Sequence, residues 1–338
     1  MDKPLVSVII VNYNGARIIE ECLYSLYNQT VSQIEIIVLD NNSNDESIQI
    51  LEKHTDKIKL IKSNSNVGFA CGNNIGLSEA KGEFIALLNN DAIANPDWLE
   101  KMLQAIQKSR TIGSCGCKII SYYDRERMDS AGLLVSIDGL SRGRGRDKPV
   151  DEYNQYEEIL IPSGCAALYR REAIDEVGFF DEDFFCYCED TDLGMRLQLY
   201  GWKSVYVPEA IVYHKYSQTS GKYSLFKAQM VERNHYWFVL KNYPLSLVIL
   251  NPLFTVRRYA YQLLSTVRNK GATSELVNSA SKYDLIKTLL IAHFQFWVKF
   301  PRMLKKRYKV QRNRRVGTKD FIQWLKKYNI SLDELFRS

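Results

Sequence analysis

The chain begins with apolar runs that carry no alternation. VSVIIVNYN (6–14) is β-branched and apolar throughout, as in a strand buried on both faces. After Gly15 the spacing changes, and Ile18/Ile19, Cys22/Leu23 and Leu26 recur on one helical face. IEIIVLD (34–40) is a second buried strand ending in Asp40, and NSNDESIQILEKH supplies capping residues and a helix. IKLIKS (58–63) is a third strand; NVGFACGNNIGLSEAKG is a Gly/Asn-rich loop running into a helix; EFIALLNND (83–91) is a fourth strand. NPDWLEKMLQAI (95–106) reads as a helix with Pro96 at its first position. The alternation predicts a doubly wound α/β sheet. Ligands of such sheets sit beyond the carboxyl ends of the strands, where Asn12, Asn14, Asp40, Asn89, Asn90 and Asp91 fall.

The pattern loosens over 111–170, into short strands and a Gly/Arg/Asp-rich loop, GLSRGRGRDKP, expected to be mobile. IPSGCAALYRREAIDEVGFFDE restores a strand and a helix. CYCEDTDL (186–193) then sets Glu189, Asp190 and Asp192 behind an aromatic run. One reading is a helix start at 191–200, each acid contributing about 0.3 to 1 kcal/mol at the positive end. The other is a reaction centre. Beyond 220 the chain reads as helical, and its apolar stretches are interrupted by polar residues, which predicts amphipathic rather than spanning helices.

Composition adds little to the class: 338 residues, 46% hydrophobic and 25% charged, are those of a globular chain. Charge adds more. Residues 299–327 hold twelve Lys/Arg and one acid, Asp320, which leaves 33 basic and 38 acidic residues elsewhere, a net of −5 against +6 overall. A basic tail on a mildly acidic body implies an anionic partner, and without a zinc, winged or RNA-binding motif that partner is not read as nucleic acid. Seven cysteines with no secretory signal before them predict a reduced, cytoplasmic setting. The pairs Cys115/Cys117 and Cys186/Cys188 have strand-like spacing rather than that of a zinc knuckle.

VSVIIVNYN, IEIIVLDNNSND, NVGFACGNNIGLSEAKGEFIALLNND and the long segment IPSGCAALYRREAIDEVGFFDEDFFCYCEDTDLGMRLQLYGWKSVYVPEAIVYH together resemble family 2 glycosyltransferases, in their rhamnosyltransferase-like branch. The resemblance covers about residues 5–220 and implies a GT-A fold, a Rossmann-like mixed sheet flanked by helices; 221–338, beyond it, read from their own amphipathic and basic pattern as a helical extension for membrane association or oligomerisation. It implies a nucleotide pocket at Asn12, Asn14, Asp40, Asn66, Gly68, Asn73 and Asn90, with Asp40 reading the base. The glycines Gly68, Gly72 and Gly76 do not form a dinucleotide fingerprint, and close backbone packing is their expected use. Asn89-Asn90-Asp91 takes the place of the family's Asp-x-Asp, with Asn89 where the first acid belongs. Asp91, Asn89 and His214 are thereby expected to hold Mn²⁺ or Mg²⁺.

Glu189-Asp190 matches the catalytic pair, with Asp190 as general base of an inverting transfer. The implied donor is a nucleoside-diphosphate sugar, dTDP-rhamnose or a UDP-sugar. The implied acceptor is a glycan or lipid-linked glycan at the inner face of the cell membrane. Two rivals stand beside this reading. A catalytically silent membrane-bound binding protein would explain Asn89. A nucleotidyltransferase would need a Gly-rich basic loop after the first strand, which VNYNGARIIEE lacks.

Overall fold

The computed structural model describes residues 3–216, 224–267 and 281–337. Its contacts gather into two compact units. One holds the described residues of Met1–Leu133, Gly143–Gln198 and Trp202–Thr219; the other holds those of Leu134–Arg142, Leu199–Gly201 and Ser220–Ser338. The expected boundary between 220 and 221 lies outside the described residues.

The first unit is built on one sheet. Strands β1 (Val6–Asn12), β2 (Ile34–Asp40), β3 (Lys59–Lys62) and β4 (Phe84–Leu88) pair in parallel in the order β4-β1-β2-β3. Helices α1 (Ile19–Tyr27), α2 (Ser47–Glu52) and α3 (Gly68–Glu79) connect them. Every residue of β4 and all but one of β1 are buried, which is why both read as unbroken apolar runs. On one face Val6, Val8 and Ile10 pack with Ile19, Cys22, Leu23 and Leu26 of α1, and with Trp98, Leu99 and Met102 of α4 (Trp98–Ile106). Helix α4 starts two residues after Pro96, not at it.

Beyond β4 the sheet becomes mixed. Strand β11 (Ala166–Arg170) runs antiparallel to both β4 and β6 (Ile112–Ser121). Strand β12 (Lys203–His214) lies parallel to β6, and β10 (Glu157–Ile159) forms the far edge. Two three-residue strands complete it, β5 (Ala92–Ala94) on β12 and β7 (Met128–Ser130) on β6. Cys115 and Cys117 share a buried face of β6, whereas Cys188 has a positive φ in a loop and is not in a strand. Strands β8 (Leu133–Val135) and β9 (Ser141–Gly143) form a separate pair. Helices α5 (Arg171–Val177) and α6 (Glu189–Leu199) flank β11 and β12 in sequence.

The arginine-rich segment, expected to be mobile, makes specific side-chain contacts. Arg144 donates to the carbonyl of Ala131 (2.9 Å) and to Glu157 (2.8 Å) and lies over the Tyr153 and Tyr206 rings. Arg146 pairs with Asp129 and lies 4.1 Å from the Tyr216 ring centroid.

The second unit is helical: α7 (Leu225–Asn242), α8 (Leu245–Val267), α9 (Lys282–Asn313), α10 (Thr318–Lys327) and α11 (Leu332–Leu335). Helix α9 packs along α7, and Leu140, Ile330 and Leu335 form a small apolar cluster. Among the described residues no helix is long and apolar enough to cross a membrane.

Candidate active site

Strand register builds the first part of the site. Asn12 lies opposite Asp40 at the ends of β1 and β2, and its Nδ2 donates to Asp40 Oδ1 at 2.9 Å. Ser43 donates to both oxygens of the same carboxylate, from its hydroxyl (2.7 Å) and its backbone N–H (3.0 Å). Asp40 is fully buried. Asn12 Oδ1 accepts from Asn90 Nδ2 at 2.9 Å, so one amide ties Asp40 to the Asn-Asn-Asp segment. Gly15 lies against that bond: a Cβ there would collide with Asn12 Oδ1 and Asn90 Nδ2. Asn14, at φ 52°, accepts from the Asn44 N–H through its side chain. Asn66 Oδ1 accepts from Asn41 Nδ2 and from the Gly68 N–H, both at 3.0 Å, which fixes that loop beside Asn41. Asn73 sits apart, buried within α3 and donating to the carbonyl of Phe69.

The second part comes from β5 and β12. Their antiparallel register sets His214 opposite Ala92, next to Asp91. His214 Nε2 is 3.1 Å from Asp91 Oδ1, and its Nδ1 is hydrogen-bonded to Asp129 on β7. All three side chains are buried. Burial pulls the imidazole's pKa down, but Cys165 and the Asp129 and Asp91 carboxylates carry it well above its ordinary value. Asn89 Oδ1 is buried without a hydrogen-bond partner among the described residues. A carboxylate on one ring nitrogen, with the other aimed at a second carboxylate, is how an imidazole is oriented for a cation. The orphaned Asn89 oxygen is a further ligand of the kind hard cations take. The donor set therefore fits a divalent ion, although no group of three or more His, Cys, Asp or Glu among the described residues forms a ready cage.

The third part is the acidic start of α6. Glu189 and Asp190 belong to its first turn, two residues before the expected start, so both are helical and near the positive end. Asp192 is fully buried and paired with Arg196 at 2.8 Å, a structural role. Asp190 Oδ2 accepts from the Gly164 N–H at 2.9 Å, and Oδ1 from the Thr191 N–H at 2.7 Å. A Cβ on Gly164 would stand 3.0 Å from Asp190 Cβ, so the residue there is small enough to let the carboxylate reach the backbone. Burial raises the Asp190 pKa although these donors pull the other way. Glu189 is raised well above its ordinary value, first by burial and then by Asp190; its Oε2 is buried without a partner among the described residues. The preceding loop holds Phe185, Tyr187 and Cys188 all at positive φ, a run of strain of the kind that gathers at functional sites.

One turn joins the second and third parts. Gly164 donates to Asp190, and the next residue, Cys165, accepts from the Asn89 N–H at 2.8 Å. Asp190 and the Asn89–Asp91 segment thus hang on neighbouring residues of the turn into β11. Asp129, Arg146, Ser43 and Gly164 were not singled out in the sequence. Ser43 alone had a local signal, three residues after Asp40 in a capping segment.

A parallel half sheet joined to a mixed half, with polar groups gathered at the join, is the architecture of the GT-A glycosyltransferases. The family model for Glycosyl transferase family 2 matches residues 7–178, just over half of the chain, and the chain belongs to that family. It is 27% identical over 302 residues to an uncharacterized glycosyltransferase of Haemophilus influenzae, covering 85% of this chain and 90% of the relative. It is 29% identical over 238 residues to the N-acetylglucosaminyl-diphospho-decaprenol L-rhamnosyltransferase of Mycobacterium tuberculosis, covering 64% of this chain and 77% of that one. Among solved structures, the mannosyltransferase PcManGT from Pyrobaculum calidifontis, in complex with GDP-Man and Mn²⁺, matches with a TM-score of 0.54 at 19% identity. That match covers 88% of this chain and 87% of the other. The protein is a glycosyltransferase.

Proposed function

We propose that the enzyme is an inverting, metal-assisted glycosyltransferase that moves a sugar, rhamnose by analogy with its mycobacterial relative, from a nucleoside-diphosphate donor such as dTDP-rhamnose or a UDP-sugar. The acceptor is a sugar hydroxyl on a lipid-linked or cell-envelope glycan at the inner face of the membrane. The observation that carries this reading is the turn at Gly164-Cys165, which ties Asp190 and the Asn89-Asn90-Asp91 segment to adjacent residues.

In the reaction the acceptor oxygen attacks the anomeric carbon while Asp190 takes its proton, and the bond to the diphosphate breaks on the opposite side. A base must lie within about 3 Å of that hydroxyl. Asp190 has the capacity, because an ionised carboxylate offers about four acceptor positions and three are used. Its raised pKa makes it a stronger proton acceptor than an exposed aspartate. Glu189 is buried beside it in the same helical turn, and the Asp190 carboxylate helps keep it protonated. Asp40, Asn12, Asn14, Asn66, Gly68 and Asn90 frame the nucleotide end, while Asn73 supports α3 from within.

Asp91, His214 and Asn89 would hold Mn²⁺ or Mg²⁺, with Asp129 orienting the imidazole. When bound, such an ion neutralises charge developing on the departing diphosphate. With Asn89 in place of an acid, these residues would supply a single direct carboxylate, so the chain without its donor would hold the ion weakly.

The test is turnover of a nucleoside-diphosphate sugar with a glycan acceptor, read by NMR at the new anomeric centre. Inversion is expected. Retention would rule out a single displacement with Asp190 as base.

A further inference from the structure

Helix α8 is built inside out. A water-facing helix buries an apolar stripe and exposes polar residues. On α8 the buried residues are Asn251, Thr255 and Arg258. Asn251 donates to the carbonyl of Asp138 at 3.1 Å; Arg258 donates to Asp138 Oδ2 at 2.5 Å and to both oxygens of Glu232 at 2.8 and 3.0 Å. Leu245, Ile249, Leu253, Val256, Leu263 and Val267 recur every three, four or seven residues on the opposite face, each 61–74% exposed. The buried charge network fixes this rotation, because turning the helix over would strip Arg258 of both carboxylates.

Helix α9 buries apolar residues in the usual way but exposes a second apolar stripe. It directs Ala292, Met303 and Val310 inward and leaves Ile286, Leu290, Phe294, Trp297 and Tyr308 60–69% exposed. Lys287, Lys305 and Lys309 are exposed beside this stripe, at helical spacings from its members. Between them, α8 and α9 contain a single acidic residue, Asp284.

We infer that the outward faces of α8 and α9 form a membrane-docking surface for an anionic lipid bilayer, the apolar stripes entering the headgroup boundary and the lysines meeting lipid phosphates. The chemistry selects the occupant. A second copy of this surface would set lysines against lysines with almost no acid to meet them, and protein interfaces deplete lysine. An anionic bilayer accepts apolar, aromatic and basic residues together. Since no described helix can cross a membrane, the contact is peripheral. The inference rests on the proposed membrane-side acceptor and adds which surface meets the lipid.

The test uses the full chain with vesicles of phosphatidylcholine alone or mixed with phosphatidylglycerol, read by co-sedimentation, alongside donor hydrolysis without vesicles. Wild type should bind the mixed vesicles at least about tenfold better than the neutral ones, and high salt should weaken this. The pairs Phe294→Ser/Trp297→Ser and Leu253→Ser/Leu263→Ser should lose binding while keeping thermal stability and hydrolysis. Lys305→Glu/Lys309→Glu should lose the preference for the anionic lipid. Sedimentation no greater than without vesicles, or apolar variants that bind like wild type, would overturn the inference. So would a lipid-free dimer that Phe294→Ser/Trp297→Ser dissociates while the wild type ignores vesicles. Vesicle binding by a chain that transfers no sugar would support this surface and sink the proposed transfer; transfer without vesicle binding would do the reverse.

Discussion

The two acidic parts of the candidate site are made differently. At the ends of β1 and β2, Asp40 is buried and accepts three hydrogen bonds, from the Asn12 amide and from both donors of Ser43. At the start of α6, Asp190 and Glu189 are pressed into a site that raises both pKa values, behind a loop with three non-glycine residues at positive φ. Glu189 even keeps an oxygen without a partner among the described residues. The first arrangement spends its hydrogen bonds on holding shape. The second is the one proposed to exchange a proton. Asp40 and Asp190 each accept three hydrogen bonds, so what sets the second end apart is the raised pKa values, the unpartnered Glu189 oxygen and the strained loop, features of the kind that gather at functional sites.

Replacing Asp190, the proposed base, tests this contrast most severely. Asp190→Asn should lower transfer by about 10²–10⁴-fold, the usual range for a general base, with donor affinity almost unchanged. The amide also disturbs the bond from Gly164, so donor titration calorimetry is needed beside the rate. Near-normal turnover would reduce Asp190 to a helix-end acid.

The cation end should respond less. Asp129→Asn leaves Asp91 and His214 in place but weakens the carboxylate that orients the ring. A loss of about 10–100-fold in apparent Mn²⁺ affinity is expected, measured as the metal dependence of donor hydrolysis. Because His214 has a raised pKa and a cation must displace its proton, apparent affinity should rise with pH. Affinity that ignores both pH and Asp129 would leave His214 as a structural residue.

The parallel half of the sheet was legible because strands buried on both faces write themselves as continuous apolar runs, and their polar ends mark the ligand side. Asp129 was not. It sits in a three-residue strand, MDS, whose pairing with β6 makes sense only once β12 has brought His214 to the other side of β6. β5 is equally short, yet it is what sets His214 beside Asp91. Arg146 was hidden by its Gly-rich surroundings, since composition says nothing about a partner seventeen residues earlier. In α8 the amphipathic period was plain, but the direction was not. Which face turns inward is decided by Asp138, 120 residues away from Arg258.

The scaffold end can be challenged through Gly15. Gly15→Ala forces a methyl into the Asn12–Asn90 hydrogen bond and should cost about 1–3 kcal/mol of stability. Donor affinity should fall with it, while the residual activity keeps the wild-type pH profile. A pH profile displaced by Gly15→Ala would mean that the two ends are not independent.

The smallest effect expected is also the most direct reading of the strained end. Glu189 has a pKa well above its ordinary value, mainly through burial and then through Asp190, so the native state favours the neutral carboxyl. In the unfolded chain the same group ionises near pH 4.3. Below that pH the group is protonated in both states and makes no difference. As pH rises through the gap, the unfolded state sheds a proton that the native state retains, and stability falls until the folded pKa is passed. Glu189→Gln has no proton to lose. Its melting temperature relative to wild type should therefore climb between pH 4 and pH 8, by about 2–4 °C for each kcal/mol gained. A difference that stays constant over that range would mean Glu189 is ionised in the folded protein, and the contrast with Asp40 would then lose its physical basis.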